Sequence, residues 1–287
     1  MAIKKIILPW EAHPERDKAW YEEQKTRMTK DEVARELDRS YSPSITGKVF
    51  TSFHERLHVS REPLSYNPHL PVYRIWDFGC VNATLFGQID RYNRRRLLHE
   101  VVLGTLADGS NTPEQINVVE AESERLFRAA EFIDICDPAG SYKDQRTGFE
   151  EKRTDVEQME KRGIHPQYER IISMPTKNRK ERARNLFSYD LERFISGEAA
   201  FMLYANEQGT KGCPRTLEAL QGGYRRKKDA RGNFRDEILE EHPFEDVMDC
   251  LLYWYLETND TGEQEDLSKF KPVMPNRSSD PYTGYGM

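Results

Sequence analysis

Apolar positions are sparse up to about residue 70, dense and regularly spaced from 71 to 257, and aperiodic again beyond 258. Residues 13–38 (HPERDKAWYEEQKTRMTKDEVARELD) read as a strongly charged helix. Its apolar positions, such as Trp20, Val33, Ala34 and Leu37, are too few for a deep core. Thr29 is a good N-cap, and Glu32 three residues on completes a capping box. This predicts a solvated helical lead-in packed on something else. Residues 41–70 hold Ser42, Pro43, Ser44, Gly47, Pro63, Asn67 and Pro68, the chemistry of loops and short strands.

From residue 71 the pattern sharpens. VYRIWDFG and ATLFGQID are two β-rich runs joined by Gly79-Cys80-Val81-Asn82, which predicts a hairpin or tight connection. RRRLLHEVVL reads as a third strand beside them. TPEQINVVEAESERLFRAA (112–130) predicts a helix with a Thr cap and Pro at its first position. A buried strand, FIDICD, is broken at once by Pro138-Ala139-Gly140. The order then runs helix (153–162), strand (168–175, YERIISMP), basic helix (178–196) and strand (AAFMLYAN). HPFEDVMDCLLYWY reads as a last helix, with Phe244, Val247, Met248, Leu251, Leu252 and Tyr255 on its buried stripe. Strands first adjacent and then alternating with helices indicate an α/β fold, a mixed sheet with helices on its faces. Residues 258–287 gain Pro, Gly, Ser and Asp and predict a disordered tail. The expected organisation is a lead-in over 1–60, a globular domain over 61–257 and a tail over 258–287.

Composition narrows the setting. At 37% hydrophobic and 32% charged residues the chain can build a core but leaves much surface. A net charge of −6 means that any nucleic-acid surface must be a local basic patch. Cys80, Cys136, Cys213 and Cys250 are far apart with no C-x-x-C pair, so neither a disulfide framework nor a zinc knuckle is indicated. Cys80, Cys136 and Cys250 lie near candidate carboxylates, where they are expected to fill small apolar spaces. No run approaches the roughly 20 apolar residues of a membrane span, and the N-terminus has too short an apolar run for a signal peptide. A soluble protein of a reducing cytosol is expected.

His54-Glu55-Arg56-Leu57-His58 fits H-E-x-x-H, the zinc-peptidase signature. That chemistry needs a helix with a buried back, and here only Phe53 and Leu57 supply apolar character. Two surface histidines are expected instead. A better constellation is acidic. Asp77 closes a strand in IWDFG, Asp137 closes another in ICDPAG, and Asp246 and Asp249 sit three apart on the last helix. Carboxylates converging from two strand ends and a helix suit Mg²⁺, which takes oxygen ligands and keeps water for substrate phosphates. Two such ions can clamp both oxygens of an in-line phosphoryl displacement.

On these stretches the chain resembles the nuclease domain of a bacteriophage terminase large subunit, a ribonuclease H-like endonuclease. The matching segments are WYEEQKTRMTKDEVARELDRSYSPSITGKVF, YRIWDFG with GQID, CDPAG, LEALQGGYRRK and HPFEDVMDCLLY, in the expected order over most of residues 10–257. The resemblance implies that Asp77 and Asp137 are strand ligands and Asp249 the helical ligand of two Mg²⁺ or Mn²⁺ ions, with Asp246 a further candidate. It makes the HERLH region a lead-in to the first strand, with no zinc. It implies double-stranded DNA as substrate, and an ATPase motor domain, a small terminase subunit and the portal or procapsid as partners. It further implies no membrane, and the cytoplasm of an infected bacterium as the location.

The chain departs from whole terminases in having no G-x-x-x-x-G-K-[ST] motif. The motor is therefore expected on another polypeptide, or the chain is an excised nuclease domain whose lead-in joins or docks on the motor. For DNA contact, Tyr224 to Arg235 read as a β-hairpin with a Gly232-Asn233 turn and a basic arm of Arg225, Arg226, Lys227, Lys228 and Arg231. Lys177, Arg179, Lys180, Arg182 and Arg184 form a second basic cluster at a helix start. Phosphate contacts of this kind carry no sequence preference. Two alternatives stay open. One is a non-catalytic module docking motor, DNA and portal. The other is an actin-like phosphotransferase, because DFGCVNAT resembles that family's first phosphate loop.

Overall fold

Three antiparallel strands in succession form the centre of one mixed sheet: β2 (Val72–Asp77), β3 (Asn82–Ile89) and β4 (Arg95–Leu103). The computed structural model describes residues 16–21, 47–105, 107–141, 154–206, 209, 211–229 and 234–259. Helix α1 (Glu55–His58) leads into the short strand β1 (Val59–Ser60). After β4 come α2 (Thr112–Leu126), β5 (Phe132–Cys136), α3 (Asp155–Glu160), α4 (Glu169–Ser173) and α5 (Thr176–Glu192). A small ribbon of β6 (Phe194–Ile195) and β7 (Glu198–Ala199) precedes β8 (Phe201–Tyr204). Helix α6 (Pro214–Glu218) leads to the hairpin β9 (Arg226–Lys228) and β10 (Phe234–Ile238), and α7 (Phe244–Thr258) closes the order.

The sheet order is β1-β8-β4-β3-β2-β5, with β5 parallel to β2 and β8 parallel to β4. Strand periodicity divides the core into two layers. Ile75, Leu85, Leu97 and Ile135 face α5 and α7, while Val72, Trp76, Phe86 and Leu98 face α2 and α3. The predicted mixed sheet with helices on both faces is the observed one, and the basic segment after Tyr224 is an antiparallel hairpin.

Helix α7 is buried all round, from Asp246 to Leu256, and not only along the expected stripe. It is sandwiched between the sheet and α5, so its polar residues are enclosed with its apolar ones. It lies so close to the sheet that a Cβ on Gly87 would run into the Trp254 ring. A buried polar knot ties the layers together: Arg95 of β4 pairs with Asp190 of α5 at 3.0 Å, and the Tyr255 hydroxyl donates to the same carboxylate at 2.9 Å.

Two local expectations are corrected. The α2 cap is Asn111, whose side chain accepts from the Glu114 amide at 3.0 Å; Thr112 is already inside the helix. The expected strand 168–175 is mostly the helix α4, and strand pairing survives only as a single bridge from Gln167 to Ile135. Its reason is tertiary: Ile171 is fully buried, and its amide donates to the Glu257 carboxylate at the end of α7. Most of the lead-in, with Thr29 and Glu32, lies outside the described residues, as do the Gly232-Asn233 turn and the tail beyond Asn259. Among the described residues no helix is long and apolar enough to cross a membrane.

Candidate metal centre

Parallel pairing of β2 with β5 sets Ile75 against Ile135 and Trp76 against Cys136. One step further along both strands, Asp77 and Asp137 come side by side, the Asp137 amide donating to the Trp76 carbonyl at 3.1 Å. Alternate residues share a face, so both carboxylates project from the face of Ile75 and Ile135, which is the face covered by α7. Both chains turn there. The Asn82 side chain accepts from the Gly79 amide at 2.8 Å, and the Asp137 side chain accepts from the Ala139 amide at 3.0 Å. From the opposite face, Gln115 of α2 donates to the Asp77 carbonyl (3.2 Å), the Ala83 carbonyl (3.0 Å) and the Thr84 hydroxyl (2.9 Å). It clamps the end of the strand that carries Asp77.

Helix α7 supplies the rest. Asp246, Asp249 and Tyr253 recur at helical spacing and share a stripe, and all three are buried. Cys250, between them, reaches the Ala83 carbonyl at 3.5 Å, which places this part of α7 against the strand next to β2. His242 Nδ1 lies 2.9 and 2.8 Å from the two oxygens of Asp246 and orients that carboxylate. The Tyr253 hydroxyl hydrogen-bonds Asp137, linking the helix to the strand end.

The carboxylates feel one another. Burial, then the charges of Asp249, Asp137 and Asp246, push Asp77 well above the usual carboxylate range, while Lys180 opposes them. Asp249 is pushed up to about 6 by burial; Lys180 counters this, and Glu245 and Asp137 add to it. Burial also raises Asp246, against its hydrogen bonds with His242. Lys180 Nζ sits 2.7 Å from Asp249 Oδ2 and 3.7 Å from Glu245 Oε1. Burial draws its ammonium down, but Asp249 and Glu245 outweigh that and raise it.

The structure thus brings Asp77, Asp137, Asp246 and Asp249 to one place, and adds Lys180, Tyr253, His242, Gln115 and Glu245. Among these only Lys180 was signalled by the sequence, as part of a basic cluster. The carboxylates are not closed to ligand spacing: among the described residues no group of three His, Cys, Asp or Glu has metal-holding geometry. The donor set nevertheless fits a hard divalent cation. All four are oxygen donors, and Asp249 Oδ1 is buried with no hydrogen-bond partner, an arrangement that costs free energy until a cation or donor reaches it.

The predicted basic residues are spread more widely. Arg179 turns to the Met174 carbonyl at 3.1 Å, Arg184 hydrogen-bonds Tyr224, and Arg182 is exposed. The side chain of Lys177 lies outside the described residues. On the hairpin, Arg225 pairs with Glu241 at 2.9 Å and Lys227 with Glu240 at 3.5 Å. Arg226 is half-buried on β9, Lys228 lies over the Phe234 ring, and Arg231 is outside the described residues.

HERLH forms one helical turn, α1, and its histidines differ: His54 is exposed, but His58 is fully buried, which corrects the expectation of two surface histidines. His58 Nδ1 accepts from the His54 amide at 2.9 Å, so its Nε2 carries the proton and donates to the Leu191 carbonyl at 3.0 Å. Both ring nitrogens are taken, and the motif is a packing device. Of the cysteines near the carboxylates, Cys136 and Cys250 are buried as expected, whereas Cys80 is exposed.

No protein-family model and no curated protein sequence matches the chain. Solved structures do. A large terminase from a thermophilic bacteriophage, in complex with ATP-γ-S, is 13% identical with a TM-score of 0.53, over 87% of this chain and 55% of that one. The large terminase nuclease from thermophilic phage G20c with bound magnesium is 15% identical with a TM-score of 0.44, over 72% of this chain and 96% of that one. The P22 large terminase nuclease domain is 14% identical with a TM-score of 0.45, over 74% and 92%. This chain spans about half the length of the ATP-γ-S-bound large terminase. The likeness to the ATP-γ-S-bound large terminase is one of fold, a mixed α/β sheet flanked by helices.

Proposed function

We propose that this chain is a divalent-metal-dependent DNA endonuclease of a viral DNA-packaging terminase, cutting concatemeric double-stranded DNA with little sequence preference. The observation that carries this reading is the convergence of buried Asp77, Asp246 and Asp249 with half-buried Asp137, from two strand ends and one helix. Carboxylates so gathered raise one another's proton affinity, and a divalent cation is the ligand that relieves them. The fold shared with a large terminase supports the same reading.

Asp77, Asp137 and Asp249 would hold Mg²⁺ or Mn²⁺, with Asp246 as a further ligand. When bound, two such ions activate water and stabilise the leaving 3′-oxygen, giving 5′-phosphate and 3′-hydroxyl ends. The chain's own residues prepare that site. Gln115 fixes the backbone under Asp77, Tyr253 holds Asp137, and His242 turns the Asp246 carboxylate. The exposed cations of the hairpin and of α5 would grip the DNA backbone without reading bases. We place the nuclease domain at 61–257 and the lead-in, residues 1–60, towards a separate ATPase motor. The small terminase subunit and the portal or procapsid are the further partners, in the cytoplasm of an infected bacterium.

Nicking and linearisation of supercoiled plasmid by the purified chain tests this, with Mn²⁺, Mg²⁺ or EDTA, beside Asp77→Asn and Asp249→Asn. Metal-dependent cutting that disappears in both variants is expected. A folded wild type that does not cut even with Mn²⁺ would make the chain a docking module between motor, DNA and portal.

A further inference from the structure

Among the described residues, Lys180 is the one basic side chain of α5 whose ammonium the structure ties to the carboxylates. Its Nζ lies 2.7 Å from Asp249 Oδ2, at ordinary charge-assisted hydrogen-bond distance. The other oxygen of that carboxylate, Asp249 Oδ1, is buried and has no partner. The attraction extends past this pair, since the Lys180 charge also acts on Asp77 and Asp246. Yet the Lys180 side chain is 50% exposed, against 11% for Asp249. The cation therefore reaches in from solvent on a flexible four-carbon stem, and it can withdraw without opening a cavity in the core.

We infer that Lys180 is a tethered counter-cation that neutralises the carboxylate site before metal arrives and is displaced from Asp249 when metal binds. This rests on the metal-dependent reading of the site. A divalent ion bound at about 2.1 Å from a carboxylate oxygen would stand within a few ångströms of an ammonium still bonded to the same carboxylate, and two cations so placed repel. One of them must leave. The lysine has water on its open side, and the metal has four carboxylates to hold it. The device keeps buried acids compatible with folding before loading, and it lowers metal affinity by the strength of the bond that must be broken.

The test is calorimetric titration of the full chain with Mn²⁺, without DNA, for wild type, Lys180→Met, Lys180→Arg and Asp77→Asn. Thermal melting in EDTA and in Mn²⁺ accompanies each. Lys180→Met should bind Mn²⁺ about fivefold or more tightly than wild type, the lower end of ordinary coupling between sites. It should also melt lower in EDTA and gain more from Mn²⁺. Lys180→Arg keeps the charge and should stay near wild type. Unchanged or weaker Mn²⁺ binding by a folded Lys180→Met, with wild type binding and Asp77→Asn not, overturns the inference and leaves the metal site standing. Absence of Mn²⁺ binding by wild type and by Lys180→Met overturns both.

Discussion

Buried titratable side chains are tolerated only when something holds them, and Tyr253 shows what that something does here. Its phenol is pushed up by burial and by the charges of Asp249, Asp137 and Asp77, so it stays protonated and can donate to Asp137. Asp137 is half-buried and comes from the edge strand β5, the least constrained of the strands carrying the site. Tyr253→Phe should therefore leave folding nearly intact while loosening Asp137. Outer partners of metal ligands are typically worth 10–100-fold in metal affinity or activity, and about a tenfold loss of Mn²⁺-dependent plasmid cleavage is expected. Cleavage equal to wild type across a Mn²⁺ titration would remove Tyr253 from the site. Nothing in the sequence marked this tyrosine, because Asp249-x-x-x-Tyr253 has functional meaning only once β5 lies opposite.

At the scale of elements, α7 and the β9–β10 hairpin are used differently. Helix α7 is pressed onto the sheet at Gly87, where any side chain would meet the Trp254 ring. Gly87→Ala should push the helix away and destabilise the fold by about 1–3 kcal/mol, the usual cost of overpacking, readable as a lowered denaturant midpoint. A midpoint unchanged from wild type would mean that the helix is free to shift. The hairpin is legible in the sequence as basic residues around a Gly-Asn turn, but the acidic partners Glu240 and Glu241 become visible only when the strands pair. These surface pairs are weak, typically within about 1 kcal/mol, so a phosphate can replace them. Arg225→Ala with Lys228→Ala should weaken DNA binding uniformly across sequences. The slope of log K against log salt should shrink by about one per lost phosphate contact. An unchanged slope would remove the hairpin from the DNA interface.

For the whole molecule, the raised carboxylates make stability depend on pH. Asp77, Asp246 and Asp249 are raised chiefly by burial, and so is Glu100, pushed up to about 7 although the Thr216 hydroxyl and the amides of Arg215 and Thr216 donate to it. Each binds its proton more tightly folded than unfolded, where carboxylates titrate near about 4. Between that range and about pH 7 the folded state carries more protons, so stability falls as pH rises. The contribution is complete below about pH 4 and is lost through about 6 for Asp249 and about 7 for Glu100. In EDTA, the buried acids should lower the melting temperature between about pH 5 and pH 7.5. They are opposed below about pH 6.5 by His58 and His99, which burial holds neutral. Mn²⁺ should restore the part due to the aspartates. Glu100→Gln should flatten the part that Mn²⁺ does not restore. A pH dependence of the melting temperature that is the same in wild type and Glu100→Gln, and in EDTA and Mn²⁺, would contradict the raised proton affinity of these acids.

What the residue pattern determined by itself was local and periodic. Alternation set β2, β3 and β4, helical spacing set α2 and α7, and Pro138 turned the chain away just past β5, leaving Asp137 at the strand's end. The four aspartates were visible for the same reason, since each stands at the end of a strand or on a helix of clear period. The tertiary structure decided what depends on contacts between distant segments. It turned 168–175 into α4 by burying Ile171 beside Glu257, sank His58 under Leu191, and enclosed the polar face of α7 as well as its apolar one. It also took Lys180 out of a basic run and set it on Asp249. Periodicity records which way a side chain points, but the energy of a buried charge depends on its neighbours, and only the packed fold supplies those.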